Sequence, residues 1–146
     1  WPYLKNQKDL KIIHLKRNNT LGVIFSLKKA NITNKWTNIT GEEEEKFTIP
    51  LDYDECLKEF TWEQEARKQF DDYFEGHPRI EVFYENLCKH CESEIKRIQE
   101  FLGVRYEIVK PTTYKQSNQP LSKSISNYFE LKEKFKGTPW EEFFED

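Results

Sequence analysis

Lys11-Ile12-Ile13-His14-Leu15-Lys16-Arg17-Asn18-Asn19-Thr20-Leu21 is the stretch on which the reading of this chain turns. Its first six residues form a short apolar run with two adjacent β-branched side chains, the pattern of a buried strand. Arg17 ends the run. Asn18, Asn19 and Thr20 are all residue types that cap a helix start, accepting from N–H groups left free there. Leu21, Ile24, Phe25 and Leu27 then recur at helical steps, which predicts a helix reaching Ala30. A strand that ends in Arg and turns directly into a helix is the unit from which open α/β sheets build ligand sites, at the carboxyl ends of their strands.

Working outward, residues 31–50 are polar and irregular and include the acidic run Glu42-Glu43-Glu44-Glu45. A solvated loop is expected there. A metal site is not, because adjacent carboxylates on an extended chain point to opposite sides. Asp52 to Phe74 predicts a long amphipathic helix, with Tyr53, Leu57, Phe60, Ala66 or Arg67, Phe70 and Phe74 at three- and four-residue steps. Gly76 stands where a C-cap belongs, and His77-Pro78 makes a turn. Arg79-Ile80-Glu81-Val82-Phe83-Tyr84 alternates and is rich in β-formers, so it reads as a second strand. A helix follows from about Lys89 to Phe101, with Ile95, Ile98, Phe101 and Leu102 as its apolar stripe and Gly103 as its cap. Strand, helix, helix, strand, helix implies parallel pairing with crossover connections. Beyond Val104 the pattern loosens. Leu121 to Phe135 predicts one or two short helices, and Gly137-Thr138-Pro139 breaks them. There is no internal repeat.

Composition sets outer limits. The chain has 146 residues, 36% of them apolar and 15% aromatic, and its formal net charge is −3. The rings supply a core that the few aliphatic residues would not, so the chain reads as folded. The near-balance of charge argues against nucleic-acid binding, which draws on a basic surplus. No apolar run is long enough to cross a bilayer, and Trp1 to Lys11 hold no signal-peptide core. Three Cys make no disulfide framework, so the expected location is cytoplasmic. The sequons at Asn18, Asn31 and Asn38 would matter only in a secretory compartment, and chance in an Asn- and Thr-rich stretch accounts for them.

Arg17 and Ser26 are the candidate anion-binding pair. A guanidinium can hold a phosphate by two parallel hydrogen bonds, N–H groups at Asn18 to Thr20 favour an anion, and Ser26 on the helix can add a hydroxyl. On spacing alone, an exposed Arg and an ordinary helical Ser remain the simpler reading.

His14 to Leu21 followed by Ser26-Leu27-Lys28-Lys29-Ala30 resembles the 3'-phosphate-binding segment of sulfotransferases, a strand ending in Arg and then a helix carrying Ser. The nine-residue step from Arg17 to Ser26 is one longer than in the cytosolic phenol and steroid enzymes, and is more like the branch of nodulation and carbohydrate sulfotransferases. Val82-Phe83-Tyr84-Glu85-Asn86-Leu87 and Ile98-Gln99-Glu100-Phe101-Leu102-Gly103-Val104 resemble a second block of that family. Lys115-Gln116, Pro120-Leu121, Ile125-Ser126-Asn127-Tyr128, Glu130-Leu131 and Gly137-Thr138-Pro139-Trp140 resemble its closing segment. Asn31 to Phe74 matches weakly.

The resemblance implies a three-layer α/β parallel sheet of the type found in P-loop-containing nucleoside triphosphate hydrolases, incomplete at its N-terminal side. Residues 1–146 would be a partial sulfotransferase domain, with 31–50 a variable loop and 104–146 the closing segment. The implied reaction moves a sulfuryl group from 3'-phosphoadenosine 5'-phosphosulfate (PAPS) to a hydroxyl of a carbohydrate or small molecule, leaving adenosine 3',5'-bisphosphate (PAP). Arg17, Ser26 and Lys115 would bind the cofactor; no metal is implied. Only ten residues precede Lys11 and they contain no Gly, so the loop that grips the 5'-phosphosulfate is expected to be missing and the chain inactive by itself. An incomplete sheet is expected to self-associate.

No general base is assigned. His14 is expected to pack within its strand, His77 sits in a turn, His90 lies at a helix start, and Glu85 takes a structural role at a strand end. Two readings from other classes stay open. One is a thiol oxidoreductase built on Cys88-Lys89-His90-Cys91 at a helix N-terminus, with zinc through Cys56 a weaker variant because second-pair spacing is absent. The other is a non-catalytic binding fragment.

Overall fold

The computed structural model describes residues 2–42, 46–115 and 119–145, so the expectations placed on Glu43 to Glu45, Gln116 and Ser117 lie outside the described residues. In chain order the elements are α1 (Pro2–Lys5), β1 (Ile12–Lys16), α2 (Thr20–Thr33), α3 (Tyr53–Tyr73), β2 (Arg79–Phe83), α4 (Tyr84–Lys89), α5 (Cys91–Leu102), α6 (Leu121–Ser124), α7 (Tyr128–Phe135) and a 3-10 turn at Glu141–Phe144. The chain divides into two compact units. One comprises Trp1–Asn18 with Glu65–Pro111, the other Asn19–Gln64 with Thr112–Asp146.

The first unit is organised by the two strands. β1 and β2 pair in parallel, as expected, in the register Ile12–Arg79, Ile13–Ile80, His14–Glu81, Leu15–Val82 and Lys16–Phe83, the helical segments between them supplying the long crossover that a parallel pair needs. Mixed α/β architecture with a parallel sheet is therefore present, and the described residues show two strands of it. The buried-strand expectation for Lys11–Lys16 needs correction, because only Ile12 is buried and Ile13 and Leu15 are 42% and 59% exposed. Side chains alternate across a strand. Ile80 and Val82, the register partners of Ile13 and Leu15, are buried, so this face is covered over β2 and largely open over β1.

β2 stops one residue early, and Tyr84 opens α4. The helix expected from Lys89 to Phe101 is α5, and the unforeseen α4 precedes it, the two separated at exposed His90 (φ −135°, ψ 45°). The His90 carbonyl restarts the ladder by accepting from the Glu94 N–H at 3.0 Å and from the Ser93 hydroxyl at 3.0 Å. α5 closes at Gly103, whose φ of +75° suits a residue without Cβ, and the Val104 N–H reaches back to the Gln99 carbonyl at 3.1 Å. Lys11 Nζ donates to the Phe101 and Leu102 carbonyls at 2.9 and 3.0 Å, placing a cation on the negative end of the helix.

The second unit holds the main apolar core. Leu21, Ile24 and Phe25 of α2, Cys56 and Phe60 of α3, and Ile125, Tyr128, Leu131, Phe135 and Phe144 of the closing segment pack with Ile49 and Leu51. Ring contacts dominate it, with Phe60, Phe135, Phe143 and Phe144 within 5.0–5.3 Å of a neighbouring ring centroid. α2 runs to Thr33, beyond the expected Ala30, and ends on Asn34 in the left-handed region (φ 53°). The polar stretch 31–50 is more anchored than a solvated loop. Ile49 bridges Ile125, Asn38 bridges Tyr114, and Asn38 is buried, its amide donating to the Glu42 carbonyl at 3.0 Å and accepting from the Gly41 N–H at 2.9 Å. Gly41 has φ +76°, and a Cβ there would stand 3.2 Å from the Tyr114 ring. Asn127 completes the unit. Its side-chain amide donates to the Leu51 carbonyl at 2.8 Å and accepts from the Leu51 N–H at 3.0 Å, pairing one backbone residue as a strand neighbour would.

Candidate anion site

The register of the parallel pair sets the site. Lys16 opposes Phe83, so the next residues along, Arg17 and Tyr84, leave the sheet side by side at its carboxyl end. The Arg17 guanidinium lies over the Tyr84 ring, 4.6 Å from its centroid, a cation–π contact that fixes the plane of the fork. Arg67 of α3 donates to the Arg17 carbonyl at 2.7 Å, holding the backbone. Glu85, the second residue of α4, takes the remaining side. Its carboxylate stands 4.0 Å from Arg17 Nε and accepts from the Asn18 N–H, at 3.1 Å to one oxygen and 3.3 Å to the other. Arg17 and Glu85 side chains are each 31% exposed, so water and small anions reach both.

The expectation that Asn18 to Thr20 offer N–H groups to an anion meets two facts. The Asn18 N–H is donated to Glu85, and Asn19 is the N-cap of α2, its side chain accepting from the Gly22 N–H at 3.3 Å and donating to the Phe143 carbonyl at 2.9 Å. Ser26 lies half-buried on α2, in the second unit, with its hydroxyl donated to the Gly22 carbonyl one turn back at 2.7 Å. To serve an anion this hydroxyl must rotate away from that carbonyl. Lys115, also in the second unit, is exposed and follows the Asn38–Tyr114 bridge. Tyr84 and Arg67 were not among the expected site residues. The signal that could have found Tyr84 is the strand register, which pairs the residues following each strand.

The Tyr84 phenol is pushed above its ordinary range by burial first and then by a hydrogen bond with the Cys88 thiol. Cys88 is exposed in the last turn of α4, and Cys91 starts α5, so only the second thiol of the C-x-x-C stands at a helix N-terminus. Cys56 is fully buried in the other unit, and burial raises its thiol to about 12.

His14 packs on Phe70 with ring centroids 4.1 Å apart, in keeping with the expected packed role. Its Nδ1 is buried without a hydrogen-bond partner among the described residues and lies 3.9 Å from Asp71. His14, Asp71 and Glu81 bring ligand-type atoms within 4.8 Å of one another, a grouping not apparent from the sequence. Both carboxylates already have cations, Asp71 from Arg79 at 2.6 Å and Glu81 from Lys16. Desolvation lowers the His14 pKa, with Lys16 adding to the shift, and the Lys16 hydrogen bond holds the Glu81 carboxyl below its usual range. The cluster is a charge-balanced ion-pair group around a neutral imidazole. His77 packs edge-on to Phe74 at 5.6 Å.

No helix among the described residues is long and apolar enough to cross a membrane. Among known proteins, no family model and no solved structure matches the chain. It is 28% identical over 145 residues to Nodulation protein H of Rhizobium tropici, an alignment that takes in 97% of this chain and 57% of that protein. The chain thus spans little more than half the length of that relative. The likeness runs over almost the whole chain and supports a sulfotransferase-related family for it.

Proposed function

We propose that this chain is part of a sulfotransferase that carries a sulfuryl group from PAPS to a hydroxyl of a carbohydrate or small molecule, within a three-layer sheet of the P-loop type. In this reading Arg17 grips the 3'-phosphate of the cofactor, and Ser26 and Lys115 supply further donors. The observation that carries it is the Arg17 guanidinium, about one-third open to solvent at the carboxyl end of a parallel strand and stacked on Tyr84. A planar fork held flat on a ring is pre-organised for the paired oxygens of a phosphate. The cations and N–H donors that must neutralise the transferring group around the 5'-phosphosulfate come, in this reading, from a separate loop.

The test is titration calorimetry of PAP against the full-length protein. Arg17→Ala should cost roughly 2–3 kcal/mol of binding, as for a charge-assisted hydrogen-bonded pair. Ser26→Ala should cost roughly 1 kcal/mol, because a neutral hydroxyl is the weaker partner and must first leave the Gly22 carbonyl. An Arg17→Ala variant that binds PAP as tightly as the parent would remove the assignment.

A further inference from the structure

We propose that the Glu85 carboxylate is an internal stand-in for the anion that the Arg17 cradle receives, and that its displacement sets the affinity of that cradle. The proposal rests on the reading of Arg17 as the phosphate-binding residue and adds a residue that tunes it.

Three observations carry it. First, Glu85 occupies an anion's place: it accepts from the Asn18 N–H through both oxygens, at 3.1 and 3.3 Å, and faces the Arg17 guanidinium. A strand-end N–H and a neighbouring guanidinium are the two donors a phosphate would use. Second, the hold is loose. At 4.0 Å the Glu85–Arg17 approach is an ion pair and not a hydrogen bond, so Arg17 does not spend its fork on Glu85. The carboxylate is 31% exposed and can rotate into water from the first turn of α4 without moving the backbone. Third, among the described residues the other contacts on Arg17 are not with anions. Tyr84 offers a ring face and Arg67 binds the Arg17 carbonyl, and neither contact is made through Glu85.

An arriving phosphate must therefore evict Glu85 or lie beside its charge. Either way Glu85 opposes binding, whereas a residue that merely orients Arg17 would assist it, so the sign of the Glu85 effect separates the two roles.

The experiment measures binding of PAP and of inorganic phosphate to the full-length parent, Glu85→Gln, Glu85→Asp and Arg17→Ala, at low and high ionic strength, with a thermal melt of each. Glu85→Gln keeps the hydrogen-bond acceptor and removes the charge. It should bind both anions about three- to tenfold more tightly, as expected for a partly exposed ion pair, with the gain shrinking in salt. Glu85→Asp withdraws the carboxylate by one methylene and should gain less. In the parent, the Asn18 amide resonance should shift on saturation with PAP as its acceptor changes from carboxylate to phosphate, a readout that needs no variant. Equal or weaker binding by folded Glu85→Gln, or an unmoved Asn18 amide, overturns the role of Glu85 while Arg17→Ala still loses binding. If Arg17→Ala also binds like the parent, the phosphate-site reading falls and takes this proposal with it.

Discussion

The guanidinium of Arg17 lies 4.6 Å above the ring centroid of Tyr84, the first residue after the strand paired with its own. Such a contact contributes about 0.5–2 kcal/mol, more as it is desolvated. Tyr84→Leu removes the face and should weaken PAP binding by about 1 kcal/mol, through loss of a pre-set fork. Tyr84→Phe keeps the face and should bind within a few tenths of the parent, although it breaks the hydrogen bond to Cys88. Parallel calorimetry of the two variants checks this. Equal losses in both would point to the hydroxyl and not the ring.

His14 gives the first unit an acid sensitivity of known sign. Its folded-state pKa lies below the ordinary 6.5, mainly because burial disfavours the charged ring and Lys16 adds repulsion, which outweigh Asp71 and Glu81. Below that ordinary value the unfolded chain binds more protons than the folded one, so stability falls as pH drops from about 6.5 through the folded pKa. Glu81, lowered by its Lys16 hydrogen bond, adds a second loss in the same direction beneath its ordinary 4.5. Urea unfolding at stepped pH should show both declines, and His14→Phe should flatten the upper one only.

The three cysteines should separate by reactivity. Cys56 is fully buried with its thiol raised to about 12, so thiolate is scarce and access is closed. Cys88 is exposed and Cys91 half-exposed. Alkylation of the native protein followed by mass spectrometry should label Cys88 and Cys91, and Cys56 only after denaturant is added. Rapid native labelling of Cys56 would show that the second unit opens more readily than its core packing implies.

Ile13 and Leu15 form the open apolar face of β1, at 42% and 59% exposure. A contiguous uncovered face favours association. The double variant Ile13→Thr, Leu15→Thr puts a β-branched side chain at both strand positions and removes much of that surface. Light scattering should then show a smaller associated fraction than the parent at equal concentration. A parent that stays monomeric at high concentration would contradict the expectation.

Local pattern made much of this fold readable. Two short β-rich runs separated by helical segments have the long connection that parallel pairing needs, and both strands fall within a residue or two of where alternation and turn residues place them. The helix over residues 53–73 was legible because its apolar positions persist for several turns. What stayed hidden depends on distance in sequence. The split at His90 has no Gly or Pro to announce it. Buried Asn38 is bridged to Tyr114, 76 positions further on. The Arg17 site was half legible: the residue at a strand end is a local inference, but its ring support and its carboxylate neighbour follow from a register that no single strand encodes. Ser26 looked like a free donor because helical spacing does not reveal whether a hydroxyl bonds back to its own helix.

The pairing of Asn127 with Leu51 joins residues 76 apart and seals a core that also needs Phe144. Loop-closure entropy must be spent before those contacts return anything. Vectorial synthesis therefore leaves α2 and the first turns of α3 exposed until the last aromatic turn has emerged from the ribosome. Through that interval Leu21, Phe25 and Phe60 have no partners from the closing segment. The second unit should accordingly depend on holdase chaperones during translation more than its finished core would suggest, and a translational pause placed after residue 120 should lower its soluble yield.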